Sequence, residues 1–481
     1  MTPMLSGINL VLRAMLAHQE AIHTVEHNVA NANVPGYHRQ EVLFAASSAH
    51  PAPGFYSASG GPGQLGTGMD VEAVRRYKLE VYDLPYWRTL GEASFWSSRN
   101  GALERVESAL PETGSASLIT KLDEFWDGWR SLSSDPADLV LRSEVRDRTA
   151  ALVAAFNQRE AQLQGVRSEL SFSMGSLVEE INQNAEHIAR LNEQIARVIG
   201  TGDRPNDLLD QRDRLLDRLA EISGAVSYEQ ANGQVSVSIG GHALVVAGST
   251  FSLYFHDAAG EKASDRLSWS ADPPVSPDDM DPAAIGGELA GLIGVYDQDI
   301  QAQLDGLDSL AAALMNKVNT AHRGGYTADG TISNSDLFTG TGASTMAINP
   351  ALFGADQRLD LDLLAAAGVG GAPGDGSNAR KIAEFQSEAF MAGSRTAAET
   401  YLAQIAGLGQ SIKLAKGNGD AQQLVSTTLR QQRESASGVS LDEEAASLAR
   451  YQRTYQALAR LMTSLDEMLD QVINGMGRAG R

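Results

Sequence analysis

The two ends of this chain carry one shared pattern, and it limits what the rest can become. From Leu448 on, apolar residues fall at Leu448, Tyr451, Tyr455, Leu458, Met462, Leu465, Leu469 and Val472, at alternating intervals of three and four. That is the a/d spacing of a coiled-coil seam. At the other end Leu5, Ile8, Leu12, Met15, Ile22 and Val29 keep the same phase, interrupted by Gln19 and Glu26. Each terminus therefore predicts a helix with a narrow apolar stripe and nothing nearby in sequence to cover it. A single stripe does not offset the entropy of ordering the backbone that carries it. A partner stripe is needed, and the opposite terminus has one. The pattern predicts ends that are loose in isolation and helical once packed on each other and on neighbouring copies.

Between the ends the periodicity changes twice. The first helix, over 4–30, stops at Asn31-Ala32-Asn33-Val34-Pro35-Gly36-Tyr37, where asparagine tolerates left-handed backbone, Pro35 cannot continue a helix and Gly36 permits the turn. Residues 38–44 read as extended, 47–68 as a loop, and 70–74 as a short strand. A helical region begins near Leu79 and holds Trp87, Trp96, Trp126 and Trp129, which predicts one well-packed core. Asp135-Pro136 reads as a helix start, with Asp as cap and Pro in the first turn. Apolar residues then recur at helical spacing from Val145 through Ile195 to Val198, roughly sixty residues or about 90 Å of helix, with Gly165 and Gly175 as points where it can bend. Asn206 is placed to cap a shorter helix through Ile222. The period then drops to two in 225–230, 234–239, 243–247 and 250–255, with Asn232-Gly233 and Gly240-Gly241 as hairpin turns. Residues 257–283 are acidic and loop-like, 284–321 helical, 324–376 irregular, and 379–435 helical again.

These readings give a mainly α chain with an inserted β domain: elongated and multi-domain, a discontinuous long-helix body plus terminal coiled-coil helices. The expected domains are a terminal assembly domain of 1–40 with 441–481, and a helical body of 41–224 with 284–322 and 376–440. A β domain at 225–283 and an irregular or β insertion at 323–375 complete the division.

Composition narrows the function. The chain has 481 residues, 43% of them hydrophobic, with 38 Lys and Arg against 60 Asp and Glu, a net charge of −22. That balance argues against nucleic acid and anionic membrane surfaces as partners. The absence of cysteine excludes disulfides, thiolate zinc sites and cysteine nucleophiles. Arg13 interrupts the only apolar run near the start, so no cleaved signal peptide is expected, and no apolar run is long enough to insert in a membrane.

Three motifs invite chemical readings. His23-Thr24-Val25-Glu26-His27 matches the H-x-x-E-H of one class of zinc peptidase, in which histidines one turn apart grip the metal. That reading, a zinc metallohydrolase, needs a further ligand and a cleft, which a thin terminal helix does not offer. Gly61-Pro62-Gly63-Gln64-Leu65-Gly66 has G-x-G-x-x-G spacing but lacks the strand before and helix after that a dinucleotide requires. Asp329 to Asp336 scatters oxygen ligands without EF-hand spacing. No catalytic, cofactor or metal residues are assigned. The acids Asp278-Asp279 and Asp442-Glu443-Glu444 read as solvated, the latter also suiting a helix start through its dipole.

The segment from Asn28 through Asn31, Asn33, Pro35, Gly36 and Tyr37 to His38-Arg39-Gln40 resembles the N-terminal motif shared by bacterial flagellar rod, hook and hook-associated proteins, and its Gly-Tyr-x-Arg-Gln form the hook-associated branch in particular. Ser437-Gly438-Val439-Ser440-Leu441-Asp442-Glu443-Glu444, Arg450-Tyr451-Gln452, Tyr455-Gln456-Ala457 and Asp466-Glu467-Met468-Leu469 are similar to the family's C-terminal end. Asp207-Leu208-Leu209-Asp210-Gln211-Arg212-Asp213 and Gly287-Glu288-Leu289-Ala290-Gly291-Leu292 resemble interior segments.

This resemblance implies a non-enzymatic structural protein of the extracellular flagellum, at the junction of hook and filament. It implies export by the flagellar type III route with a chaperone on the C-terminal helix, and assembly into a ring of identical subunits between the hook protein and the next hook-associated protein. The two stripes, together with Asn31, Asn33, Pro35, Gly36, Tyr37, Arg39 and Gln40, are the expected assembly interface. A hook or distal-rod protein is the nearest alternative, although a more β-rich body is expected there. His23 and His27 depart from the small or amide side chains expected at those positions. The β middle is also short for the family, implying a reduced or missing outer domain.

Overall fold

A computed structural model describes residues 2–48, 66–112, 114, 117–256, 262–269, 284–354, 359–372 and 374–475. The Gly61–Gly66 motif, apart from its last glycine, and the Asp278-Asp279 pair lie outside the described residues. The chain forms two compact units. One contains Met1–Leu90, Ile181–Ser252 and Gln423–Arg481; the other contains Gly91–Glu180 and Leu253–Gln422.

In the first unit, helix α1 (Thr2–Asn31) leads through the Pro35-Gly36 turn into an antiparallel ribbon, β1 (Gln40–Ala46) and β2 (Met69–Arg76). The register pairs Gln40 with Arg76 and Ala46 with Met69, and slips at a bulge between Leu43 and Phe44. Helix α2 (Asp83–Ala109) begins here; α3 (Leu118–Ser134) belongs to the second unit, and the 62-residue α4 (Leu139–Gly200) contributes to both. Helix α5 (Asn206–Ser223) follows, then a four-stranded sheet in the order β3 (Val226–Glu229), β4 (Val235–Ile239), β5 (His242–Val246), β6 (Ser249–Thr250). Gly233 and Gly241 take the positive φ values, +79° and +85°, that the hairpin turns require. Asn192 of α4 stitches this sheet to the helix: its amide donates to the Val235 and Ala247 carbonyls, each at 2.8 Å, and its oxygen accepts from Val235 N at 3.1 Å.

The second unit contains α3, the first part of α4, the two-stranded pair β7 (Tyr254–Phe255) and β8 (Leu267–Ser268), and α6 (Gly287–Gly294). A π-helical turn, Val295–Ile300, runs on into α7 (Gln301–Gly324). A second pair, β9 (Phe338–Thr339) and β10 (Ala347–Ile348), precedes α8 (Ser377–Glu384) and α9 (Ala397–Ser437), and α9 runs on into the first unit, which ends in α10 (Leu441–Gly475). Phe125, Trp126, Trp129, Phe156 and Phe338 are fully buried in the core of the second unit. Buried His322 organises the irregular region: Nδ1 donates to the Ser335 carbonyl at 2.8 Å, and Nε2 accepts from Ala365 N at 3.3 Å. Burial lowers its pKa, keeping it neutral.

Three sequence expectations need correction. The long helix begins at Leu139, one turn after Asp135-Pro136, because Asp138 supplies the cap by accepting from Val140 N at 2.7 Å. The Pro136 carbonyl is used instead by Arg142 Nε. Asn206 does not cap α5; its amide donates to Gln40 Oε1 and the Val74 carbonyl, and so ties the helix to the β1–β2 ribbon. The tryptophans do not share one core. Trp126 and Trp129 are buried in the second unit, whereas Trp87 belongs to the first and donates to Asp217 at 2.6 Å. No described helix is long and apolar enough to cross a membrane.

Candidate functional site

The termini lie together as an antiparallel helix pair. Gly7 of α1 faces Leu465 of α10, His18 packs on Tyr451 with ring centroids 5.8 Å apart, and Asn28 meets Glu444. Phe44 of β1 closes an aromatic cluster over the same point, 5.5 Å from His18 and 6.2 Å from Tyr451. On α10, all eight seam residues from Leu448 to Val472 are half-buried. Among the described side chains of α10 only Glu444 is fully buried.

On α1 the buried line is Val11, Ala14, Ala17, Ala21, Val25 and Asn28, beside the expected stripe. Ile8, Met15 and Ile22 are half-buried, Leu12 and Val29 are exposed, and the side chain of Leu5 lies outside those described. The reason is that α1 has two neighbours, α10 and the β1–β2 ribbon, and its small alanines allow both to approach. The pair thus leaves apolar groups in water, among them Leu12 (45% exposed), Leu16, Leu461 (47%) and Ile473. The terminal helices are paired but not covered.

Where the pair meets the ribbon and α5, a polar cluster fixes its geometry. Asn28 Oδ1 accepts from Gln40 N at 2.9 Å and from Tyr37 Oη at 2.8 Å, and its amide donates to the Gln40 carbonyl at 2.8 Å and to Glu444 Oε2 at 3.1 Å. Every hydrogen-bonding position of a single buried amide is used. Arg39 Nε donates to Glu444 Oε1 at 2.6 Å, and Arg39 N to the Ser437 carbonyl at 2.9 Å. Glu444 is therefore not solvated, as its sequence neighbourhood suggested; only Asp442 and Glu443 are. Asn31 donates to the His27 carbonyl, Asn33 and Pro35 are exposed, and Gly36 takes φ +74° where a Cβ would lie 2.6 Å from Arg214 Cγ.

Behind the motif stand Asp207, Asp210, Asp213 and Asp217, spaced three and four apart on α5 so that they line one helical face. Gln40 donates to Asp207, and His38 pairs with Asp210 at 2.7 Å. Arg76 bridges Asp210 and Asp213 at 2.8 Å each, Lys78 bridges Asp213 and Asp83, and Arg433 joins Asp83 to Asp217. Burial pushes the Asp213 carboxyl up, but the charges of Lys78 and Arg76 outweigh it and hold the group well below the usual carboxylate range. At Asp217 burial wins over Arg433, and the shift is upward. Burial, and then the charges of Asp207, Asp210 and Glu444, raise the Tyr37 pKa, so its proton stays on as the donor to Asn28.

Sequence reasoning did not pick out Arg76, Lys78, Asp83, Asp217, Arg433 or Glu444 as part of this cluster. The helical spacing of acids on α5 was the available signal. His38, Asp210 and Asp213 lie near enough to share a metal ion, but the guanidinium of Arg76 already bridges both carboxylates. The H-x-x-E-H motif is spent on local contacts: His23 faces Glu26 at 3.4 Å, while His27 lies 2.9 Å from Tyr37 Oη and 3.8 Å from Asp207. Asp329 is likewise occupied, accepting from Thr331 N and from the hydroxyls of Thr327 and Thr331, which bring its pKa down to about 2.

Comparison with known proteins gives a consistent picture. Residues 103–338 match the family described as the flagellar hook-associated protein FlgK helical domain, and residues 430–475 match the C-terminal region of the flagellar basal body rod FlgEFG proteins. The chain is 30% identical to flagellar hook-associated protein 1 of Bacillus subtilis over the whole length of both. It is 25% identical to that of Salmonella typhimurium and 24% to that of Escherichia coli K12, in each case over 98% of this chain and all of the relative. The solved structure of the flagellar hook junction protein FlgK from Burkholderia pseudomallei shares the fold, with a TM-score of 0.62 at 15% identity, covering 74% of this chain and all of that one.

Proposed function

The chain belongs to the flagellar hook-associated protein 1 family, and from that premise we propose that it is the structural subunit joining hook to filament in the bacterial flagellum. It acts by assembling through its paired termini, residues 1–40 with 441–481, and carries out no catalytic step. The observation that carries this reading is the incompletely covered α1–α10 pair, whose half-buried seam and exposed leucines call for further apolar cover. Copies of the same chain, set side by side in a ring, supply it. The hook protein lies on one side of that ring and the next hook-associated protein on the other.

The same surface explains why the subunit needs handling before it assembles. A chaperone on α10 shields the stripe during type III export, and release at the hook tip lets the pair dock. The polar cluster of Asn28, Tyr37, Arg39 and Glu444 aims the pair relative to β1–β2. Substituting Leu12→Glu and Leu461→Glu together tests the reading. Both side chains are exposed, so the purified protein should keep its unfolding free energy to within about 0.5 kcal/mol. Cells carrying the variant should make hooks without filaments. Normal filaments on such cells would defeat the proposal.

A further inference from the structure

The second unit holds a concavity of about 640 Å³ between one face of α4 and the π-helical turn carrying Tyr296. Turns of this kind insert an extra residue into a helix and recur at functional sites. Two guanidinium groups converge on Tyr296. Arg167 Cζ lies 4.5 Å from the ring centroid, and Arg266 Nη1 donates to the Tyr296 hydroxyl at 3.4 Å. Arg266 is only 3% exposed; it covers the Phe255 ring at 4.4 Å and donates through Nε to the His256 carbonyl at 2.7 Å. Arg167 differs, because its Nε is shielded from water and has no hydrogen-bond partner among the described residues.

Two adjacent cations are an unusual lining in a chain of net charge −22. Glu179 is the only acid among the described lining residues, and it stands twelve positions from Arg167, about 18 Å along the helix. A guanidinium set over an aromatic ring can still offer N–H groups to a planar acceptor, which suits a carboxylate. Phe172, 79% exposed, and Phe255 give the same concavity an apolar wall. We infer that it binds a small carboxylate carried on an aromatic or aliphatic body, with the carboxylate on Arg167 and the body against Phe172 and Phe255. This site is separate from the terminal helices and does not rest on the assembly reading.

Calorimetric titration of the full chain at neutral pH tests it, using N-acetyl-L-phenylalanine as probe, with N-acetyl-L-phenylalaninamide and phenyl phosphate for comparison. The acid should bind saturably and the amide at least about tenfold more weakly, since the charge-assisted bond is lost. Arg167→Met should weaken the acid by a similar factor. Ser171→Asp, which sets a like charge in the concavity without touching the arginines' aromatic partners, should do the same. Unfolding midpoints of both variants separate lost binding from lost fold, and if Arg167→Met fails to fold, Ser171→Asp decides. Equal binding of acid and amide, no saturation, or affinity that survives either substitution in a folded variant would overturn the inference. Tighter binding of phenyl phosphate would overturn the choice of carboxylate.

Discussion

Asn28 and Glu444 stand 416 residues apart in the chain and meet at 3.1 Å, the amide donating to the carboxylate inside a site closed to water. Arg39 completes the contact from the other side, 2.6 Å from the second carboxylate oxygen. The pair therefore sets where along α1 the last helix begins. Because Glu444 is the one fully buried side chain described on α10, the register of the whole helix hangs on it.

Glu444→Ala should accordingly cost more than its size suggests. It leaves Asn28 with an unmet donor and Arg39 without its closest acid. An uncompensated buried partner costs about 3–5 kcal/mol, and less where, as at Arg39, water can reach the orphaned group. A loss of about 2–3 kcal/mol in denaturant unfolding is expected, with Glu444→Gln recovering about half, since the amide can still accept from Asn28. An unfolding curve that superimposes on the parent's would show that the register is set elsewhere.

Acid should loosen the same cluster through Asp213. Its folded pKa lies below the value of an unfolded aspartate, near 4. The stabilisation from Lys78 and Arg76 is thus fully present above that pH and is lost as pH falls from about 4 toward the depressed folded value. Asp217 shifts the other way and does not add to this loss. Urea midpoints at pH 7, 5 and 3 should fall more steeply between the last two for the parent than for Asp213→Asn. Parallel slopes would remove Asp213 from the account.

Gly36→Ala tests the turn that delivers the motif. The residue sits at φ +74°, and an added Cβ would approach Arg214 Cγ at 2.6 Å. Left-handed backbone alone costs a non-glycine residue about 1–2 kcal/mol. In the background of Arg214→Ala the steric part disappears and only the backbone part remains. The double variant should therefore show a smaller penalty for Gly36→Ala than the single one; equal penalties would mean that Arg214 simply moves aside.

How far these features could be read from the amino acids depends on the range of the interaction. The α10 seam and the hairpin glycines Gly233 and Gly241 are local patterns, and the structure places them where the spacing puts them. The buried line of α1 was harder to see, because Ala14, Ala17 and Ala21 are too small to dominate a periodicity against Leu12 and Met15. They are buried on a helix that both α10 and the β1–β2 ribbon pack against. Glu444 looks like any helix-opening acid until Asn28 and Arg39 arrive from the far end of the chain. Asn206 has the composition of a cap but bonds to Gln40, 166 residues away. Local chemistry announces helices and turns; polar groups recruited across hundreds of residues have no local signature.

The sharpest test of assembly through the termini compares two helices of the same molecule. Helix α4 buries Leu152, Phe156, Leu163, Leu170 and Ile181 completely, whereas the seam of α10 is nowhere more than half-buried. Leu163→Ala should then cost about 2–5 kcal/mol, the range for a filled core, and Leu465→Ala about 1 kcal/mol, because water already reaches the site. Hydrogen exchange should rank the helices the same way, since local opening is easiest where few apolar contacts close. In dilute protein the amides of α10 should exchange well before those of α4. In assembled junctions α10 should rise toward the protection of α4 as neighbouring copies cover Leu461 and Ile473. Protection of α10 that equals α4 in the dilute chain would mean the pair is already complete, and the exposed leucines would then need another purpose.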